Sequence, residues 1–541
     1  MNKKTFLLIL YSTFLILNLS AQPPFKTGVN FPMRNPETTS IQEFFKRLSE
    51  TKTPVTRQVT FADVFWGSVE SPNDSFDFTN QDSAFLNDHN IHVIGTLYSM
   101  MGELDTFGIQ VPWKACTNPD TCFWDIARDS NDTKDYIKTI VNRYKDRTKY
   151  WELANEIETR SKPTSLPITD LINFFKYNTQ WIKNNDSTAK TLLPGLVGTY
   201  GLPLNSKYAW LKLFLLSGGG DVVDIMNYHD YNSWWTLPAH FDSIRDILTQ
   251  FGYSDKPIWI TESSVSSDTV SNITPNYSSE DEQAADVWRR PSVLWSRGAE
   301  VVFWHCLWSS DYQSEWSHFG LLNDKGEKKK SFYAYQLLID EVADFDSIEL
   351  ISSGNIVDNN DNGGDGIWAV KFMVDGKKKW LLWSPDNQVY SFPRSWLDNS
   401  DVVNVTHVVP DDVLFNGDSA EFNIYTKVCT SDSTQFQLTS LPILLEEGTA
   451  TSMEKFIEAS NEIKVFPNPT NSAVNIQFDL QDEGKLKLTI YNLQGVLLIS
   501  EELPDIPLTH PIDLSHLLNG VYVLKIESDS QMVVKKVLLQ K

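Results

Sequence analysis

The chain is poor in cysteine and has no long apolar run after its N-terminus. Its 4 cysteines are too few for a disulfide scaffold in 541 residues. Cys116 and Cys122 lie close together in one loop-like segment, and whether they pair outside the cytoplasm stays open. No CxxC pair or HExxH motif occurs, so the sequence predicts no metal site and no cofactor. No later stretch approaches about 20 apolar residues, so we expect no transmembrane segment after signal cleavage.

Positive charge is also scarce. The chain has 46 Lys and Arg residues against 70 Asp and Glu residues, a net charge of −24. Nucleic acids and anionic membranes carry charge of the same sign, so neither is expected as a partner. The composition is 41% hydrophobic and 21% charged, which is typical of a globular protein with packed cores. The length indicates about two to four domains.

The N-terminus has the pattern of a secretion signal. Two lysines precede the apolar run Phe6–Leu19, and Ser20 and Ala21 supply small residues for cleavage. We therefore predict a signal peptide over residues 1–21, with a short N-terminal membrane anchor as the alternative.

Strand-like apolar runs alternate with amphipathic helical stretches from about residue 25 to residue 342. Eight such units predict an α/β fold, a parallel (β/α)₈ barrel over residues 22–343. A doubly wound open sheet is the alternative, but no GxGxxG motif follows the first strand. The predicted strands are Thr27–Phe31, Val55–Thr60, Ile91–Tyr98, Tyr150–Asn155, Thr191–Leu196, Val223–His229, Pro257–Thr261 and Glu300–Trp304.

Two further units follow the barrel. Short alternating runs, separated by Asn and Gly clusters, predict an antiparallel β-sandwich over residues 344–448. Residues 449–461 are polar and are expected to form a linker. Residues 462–541 then predict a third unit, a small C-terminal β-sandwich.

The C-terminal unit carries several landmarks in order. They are the FPNP opening at Phe466–Pro469, the segment Ile490–Gly495, the turn Leu518–Tyr522 and the basic pair Lys535–Lys536. This pattern resembles the type IX secretion sorting domain of Bacteroidetes. The resemblance implies the type IX secretion machinery as a partner and a location outside the cell or on its outer surface. It leaves open whether the protein is released or anchored there.

Two glutamates follow predicted strands, Glu156 after the fourth and Glu262 after the seventh. Chemistry in a barrel gathers at the C-terminal ends of the strands. Cleavage of a glycosidic bond needs two carboxyl groups, one to protonate the leaving oxygen and one to attack or to activate water. The two glutamates are 106 positions apart, which corresponds to three βα units of about 35 residues each. Because whole units separate them, both are expected on the same rim of the barrel.

The barrel region resembles the clan A glycoside hydrolases, whose members keep Asn-Glu after strand four and Glu after strand seven. The stretch from Trp66 to Phe78 is similar to one in families 39 and 42, although Asp74 stands where a glycine is usual. The resemblance implies a secreted retaining hydrolase of β-linked oligo- or polysaccharides. Glu156 would be its acid/base and Glu262 its nucleophile, with the carboxyl groups roughly 5–5.5 Å apart.

Six neighbours are candidate substrate-binding residues. The side-chain amide of Asn155 is suited to donate a hydrogen bond to the sugar 2-hydroxyl. Arg57 is suited to keep Glu262 ionised through its charge and hydrogen bonding, and the alternative is that it forms a purely structural salt bridge. His229 and Tyr231 end strand six, where a donor can orient the nucleophile; a structural histidine is equally compatible. Trp304 and Trp308 are alternative candidates for the aromatic ring on which a sugar stacks. Each is also compatible with a place in the core.

A catalytically silent barrel that binds surface glycans is the rival interpretation, because a fold alone does not determine function. The presence of both carboxylates favours the enzyme. A secreted peptidase is less well supported, since no nucleophile–histidine or metal constellation is visible.

Overall fold

The computed structural model describes most of the barrel, the sandwich and the tail. The predicted signal peptide, the predicted linker, Cys116 and Cys122 lie outside the described residues, and the predicted domain boundaries stay predictions. The described residues are 23–30, 40–57, 64–70, 74–98, 130–157, 168–197, 208–267, 279–309, 318–357, 363–413, 419–429, 432–448, 463–478, 486–492, 496–503, 509–528 and 532–541.

The N-terminal half forms a closed parallel barrel. The hydrogen-bonded strand order is β6-β5-β4-β2-β1-β9-β8-β7, and the short β3 pairs outside this path with β4. Isolated parallel bridges, Leu192 to Ile225 and Leu196 to Tyr228, join the two ends of this path. The predicted eight-stranded barrel is therefore confirmed, and the open-sheet alternative is wrong. The strands are β1 Thr27–Asn30, β2 Val55–Arg57, β3 Val64–Phe65, β4 His92–Tyr98, β5 Tyr150–Glu152, β6 Lys190–Leu192, β7 Met226–His229, β8 Ile258–Ser263 and β9 Val301–Trp304.

The helices cover the outside of the barrel with apolar faces at helical spacing. The first begins at a capping residue, Ser40, whose hydroxyl accepts a hydrogen bond from the Glu43 amide, and it buries Phe44, Phe45 and Leu48. The described helices are α1 Ile41–Glu50, α2 Trp66–Val69, α3 Thr79–Phe85, α4 Ser130–Tyr144, α5 Ile168–Asn185, α6 Ala209–Leu216, α7 Leu237–Gln250, α8 Glu280–Trp295 and α9 Lys330–Glu341.

Asp74, the residue that replaces the usual glycine, has a left-handed backbone with φ of +63°. Short polar side chains tolerate this region better than bulky ones do. Its amide donates to Glu70, whose other carboxylate oxygen accepts from the Trp66 indole. The aspartate therefore keeps the turn that a glycine would make.

The second unit consists of antiparallel strands. One sheet has the order β10-β11-β12-β19-β14-β17, and the ribbons β13-β18 and β15-β16 pair separately. Trp380, Phe392 and Phe436 belong to the apolar core shared by the large sheet and the β13-β18 ribbon, so the predicted sandwich is confirmed. Its strands are β10 Ser347–Ser353, β11 Trp368–Val374, β12 Lys377–Trp383, β13 Val389–Pro393, β14 Val402–His407, β15 Asp412–Val413, β16 Ala420–Glu421, β17 Ile424–Val428, β18 Ser433–Gln437 and β19 Ile443–Glu447.

A single apolar core joins the barrel to this sandwich. The ring centroid of Trp234, from the barrel, lies 4.8 Å from that of Trp368 and 5.6 Å from that of Trp383 in the sandwich. The Arg289 guanidinium lies 5.2 Å from the Trp234 ring and donates to the Ser440 carbonyl across the boundary at 3.0 Å. The two units therefore stabilise each other.

The C-terminal unit has two antiparallel sheets, β20-β21-β24 and β23-β22-β25-β26. Among the residues that the structure describes, its apolar core comes from within the unit and includes Ile476, Leu488 and Leu524. No helix in the part of the chain that the structure describes is long and apolar enough to cross a bilayer. The strands are β20 Ile463–Phe466, β21 Ala473–Phe478, β22 Leu486–Asn492, β23 Leu497–Leu503, β24 Thr509–Asp513, β25 Gly520–Ser528 and β26 Met532–Leu539.

Candidate active site

Most of the predicted site residues meet at one end of the barrel. Arg57 and His229 are the last residues of β2 and β7, and Glu262 is the last but one residue of β8. Asn155 and Glu156 lie three and four residues after the end of β5, in an irregular segment bonded to the segment after β6. Because the strands are parallel, these positions open on the same mouth.

Glu262 is surrounded by hydrogen-bond donors. Its Oε1 accepts from the Arg57 guanidinium at 2.7 Å, and its Oε2 accepts from the Tyr231 hydroxyl. The Nδ1 atoms of His305 and His229 lie 3.2 Å and 3.6 Å from the same Oε2. Burial alone would raise the pKa of Glu262, but the positive charges of His229, His305 and Arg57 outweigh it and hold the pKa well below the usual value. Glu262 is therefore an ionised carboxylate in a buried place.

Arg57 is the centre of this network and is fully buried. It donates through Nε and Nη2 to both oxygens of Glu152, which is also fully buried, and through Nη2 to Asn155 Oδ1 at 2.6 Å. Glu152 Oε1 further accepts from the Gly195 amide and from Asn227, each at 2.9 Å. The two carboxylates on either side of Arg57 balance its charge, as a buried cation requires.

Glu156 has an unusual backbone and reaches towards solvent. Its φ is +49°, and the nearby Ala154 has a φ of +82°; both lie in the left-handed region that L-residues rarely adopt. The Glu156 amide donates to the Gly195 carbonyl at 3.1 Å, which helps to hold this conformation. The Glu156 side chain is 22% exposed, whereas that of Glu262 is 5% exposed. Local strain of this kind persists where surrounding structure enforces it, often at functional sites.

His229 connects the two glutamates. Its Nδ1 lies 2.8 Å from Glu156 Oε1, and its Nε2 lies 3.1 Å from Thr261 Oγ1. Because the Thr261 hydroxyl donates to Asn227 Oδ1 at 2.9 Å, it can only accept from His229, so Nε2 carries a proton. Burial alone would lower the pKa of His229. The charge of Glu262 and the contact with Glu156 raise the pKa by more than burial lowers it, so the net shift is upward.

Gly195 makes room for this histidine. A Cβ atom at position 195 would lie 1.9 Å from His229 Nε2, so any side chain there would displace the ring. Polar atoms of Glu156, His229 and Glu262 all lie within 4.8 Å of one another. A divalent cation would find three ligands there, but the Arg57 guanidinium lies 2.7 Å from one of them, Glu262, and would repel the cation.

The two predicted tryptophans are not brought to the carboxylates. Trp304 is buried in the core, and its indole donates to the Phe319 carbonyl at 3.1 Å. Trp308 is half-buried, and its indole contacts the Asp324 carbonyl at 3.4 Å. A stacking role for either ring finds no support in this geometry. The aromatic ring beside Glu262 after β9 is instead His305.

Sequence reasoning missed Glu152 and His305. Glu152 ends β5 and thus lies at the mouth, but the direction of its side chain cannot be read from the sequence. His305 directly follows the end of β9, where the strand-end rule points to Trp304 and His305 alike.

The C-terminal unit is identified by comparison with protein families. Residues 464–540 match the family model described as "Secretion system C-terminal sorting domain". The tail is a secretion-system sorting domain. Its presence assigns the chain to type IX secretion, with a destination outside the cell or on the cell surface. No curated protein matches this chain in sequence.

The barrel and sandwich are similar to solved glycoside hydrolases. A family 39 enzyme from Bacteroides cellulosilyticus WH2 has a TM-score of 0.57 at 16% identity, covering 78% of this chain and 81% of that one. The family 39 enzyme from Xanthomonas axonopodis pv. citri has a TM-score of 0.50 at 14% identity, covering 78% and 93%. An alpha-L-arabinofuranosidase from Thermotoga maritima has a TM-score of 0.50 at 11% identity, covering 79% and 97%. At these identities the likeness establishes a fold that this chain shares with those enzymes.

Proposed function

We propose that this protein is an exported retaining glycoside hydrolase that acts on β-linked oligo- or polysaccharides. Glu156 would act as acid/base and Glu262 as nucleophile. The observation that carries the proposal is the approach of one carboxylate oxygen of Glu156 to within 4.8 Å of one carboxylate oxygen of Glu262. Retaining enzymes need carboxyl groups roughly 5–5.5 Å apart, whereas inverting enzymes leave roughly 6.5–9.5 Å for a water molecule.

The different surroundings of the two glutamates support their different roles. A nucleophile must be ionised, and the lowered pKa of Glu262 satisfies this requirement. An acid/base must reach both the leaving oxygen and an incoming water, and Glu156 is the more exposed of the pair. The contact with His229 gives the Glu156 carboxyl group a defined hydrogen-bond partner while no sugar is bound.

Asn155 is oriented for the sugar by Arg57. Because Oδ1 of its side-chain amide accepts from the guanidinium, its Nδ2 group is left to donate. A donor beside the nucleophile suits the 2-hydroxyl, whose hydrogen bonds strengthen in the transition state.

A rescue experiment with azide tests the proposal. Glu262→Gly removes the nucleophile, so hydrolysis of natural substrate should nearly vanish. Glu156→Ala should lose roughly 10²–10⁴-fold on substrates with poor leaving groups, because the proton donor is missing. Aryl glycosides with activated leaving groups barely need that proton, so their first step should survive in Glu156→Ala.

The products then distinguish the two roles. Azide should yield the β-glycosyl azide from Glu156→Ala and the α-anomer from Glu262→Gly, because it attacks opposite faces of the ring. Glu43→Ala, an exposed glutamate on α1, is the matched control and should retain wild-type activity. The same anomer from both variants would refute the assignment. A wild type that binds glycans without cleaving them would favour the silent-barrel alternative.

A further inference from the structure

We propose that His305 determines which sugar is accepted: Nδ1 supports Glu262 while Nε2 hydrogen-bonds an oxygen on C6 of the sugar. The inference rests on the proposed function and specifies its substrate class. It assigns hexosides and hexuronides, rather than pentosides, as the glycosides that this site cleaves.

The first support is the position of the ring. His305 follows β9, and its backbone amide donates to the Ser263 carbonyl on the neighbouring strand at 3.3 Å. Its Nδ1 lies 3.2 Å from Glu262 Oε2, and its side chain is 15% exposed. The ring therefore lies between the nucleophile and the open mouth.

The second support is that the ring is held in place. The ring of Tyr231 meets it edge to face, with 5.5 Å between centroids and an interplanar angle of 87°. Phe319 does the same from another side at 6.2 Å and 78°. Both neighbours are buried, so the imidazole presents its second nitrogen in a fixed direction. No group among the described residues is bonded to that nitrogen, Nε2.

The third support is the side of Glu262 on which His305 lies. Arg57 joins Asn155 to Oε1 of Glu262, which puts the 2-hydroxyl on the Oε1 side. Tyr231 and His305 contact Oε2. The reacting C1 has two ring neighbours, C2 and the ring oxygen, so C5 and its substituent extend in the direction away from C2. His305 Nε2 therefore faces the C5 substituent.

The chemistry of imidazole defines what that substituent must be. A neutral ring that carries its proton on Nδ1, the nitrogen that faces Glu262, accepts at Nε2, whereas an imidazolium carries a proton on both nitrogens. A C6 hydroxyl can pair with either form, and a C6 carboxylate pairs only with the imidazolium. A pentoside has no C6 and leaves Nε2 unpaired beside the substrate, which disfavours it.

The test uses two series of aryl glycosides that are identical from C1 to C4. The gluco series is xyloside, glucoside and glucuronide; the galacto series is α-L-arabinopyranoside, galactoside and galacturonide. The kcat/KM values of wild type, His305→Phe and His305→Gln are compared. Phenylalanine keeps the packing without a polar edge, and glutamine restores a polar group. His89→Phe, a surface histidine after α3, is the control for the substitution itself.

In at least one series the wild type should prefer a sugar with a C6 oxygen over the pentoside about tenfold, the effect of one hydrogen bond in a buried site. His305→Phe should reduce this ratio to about threefold or less, and His305→Gln should partly restore it.

A ratio that His305→Phe leaves unchanged, or a wild type that prefers the pentoside, overturns the inference alone. A wild type that cleaves none of the six glycosides overturns the proposed function together with it.

Discussion

Replacing Glu152 by glutamine changes one oxygen of a buried carboxylate to an amide nitrogen and leaves the shape unchanged. Glu152 Oε1 accepts three hydrogen bonds, from Arg57, Gly195 and Asn227, while Oε2 accepts one from Arg57 Nε. The glutamine oxygen will remain where three donors point. Its NH₂ group must then face the Arg57 Nε–H. Both groups are hydrogen-bond donors, so the hydrogen bond at this position is lost.

The cost follows from the burial of both partners. Removing one charge of a buried pair typically costs about 3–5 kcal/mol, because the other charge is left without compensation. Arg57 keeps its 2.7 Å contact with Glu262, so we expect the lower end, about 3 kcal/mol. Urea unfolding of the purified protein, followed by tryptophan fluorescence, measures this loss.

Glu43→Gln is the matched control. Glu43 lies on the barrel surface and pairs with Arg47 at 3.0 Å, with both side chains partly exposed. Such pairs contribute about 0–1 kcal/mol. If Glu152→Gln were no more destabilising than Glu43→Gln, the Arg57 network would not be the stabilising centre that its geometry indicates.

Two further predictions concern pH and domain organisation. Because the pKa of His229 is raised in the folded protein, its stabilising contribution is fully present below the unfolded value of about 6.5 and is lost as pH rises through the folded value. The difference in unfolding free energy between wild type and His229→Asn should therefore shrink between pH 5 and pH 8 in urea titrations; a constant difference would contradict this. A chain ending at residue 448 should keep wild-type activity and thermal stability, whereas one ending at residue 346 should aggregate, because Trp234 loses Trp368 and Trp383. Equal stability of the two truncations would refute the shared core.

The barrel was predictable because its strands are continuous apolar runs between amphipathic helices. The predicted starts agree closely with the observed ones, for instance at Thr27, Val55 and Tyr150. The sandwich was predicted less completely. Its first strand, Ser347–Ser353, is not evident from the sequence, because most of its side chains are half-buried and its apolar alternation is weak.

The candidate site was predictable where chemistry depends on strand ends. The positions of Glu156, Glu262 and Arg57 relative to strand ends were enough to expect their convergence. Trp304 and His305 show where this reasoning stops. Successive side chains of a strand point to opposite faces, so a difference of one residue decides between the core and the mouth. Sequence periodicity does not resolve a single position at a strand end.

The separate core of the tail has a consequence for how such proteins are assembled in evolution. Among the described residues, each core residue of the tail comes from the tail itself, whereas Arg289, Ser440 and Trp234 tie the barrel and sandwich to each other. A chain without the tail therefore keeps every described residue of the core that the barrel and sandwich share. Mutations at the active site and mutations in the sorting domain can therefore be selected independently. The same sorting domain can also be joined to unrelated secreted proteins.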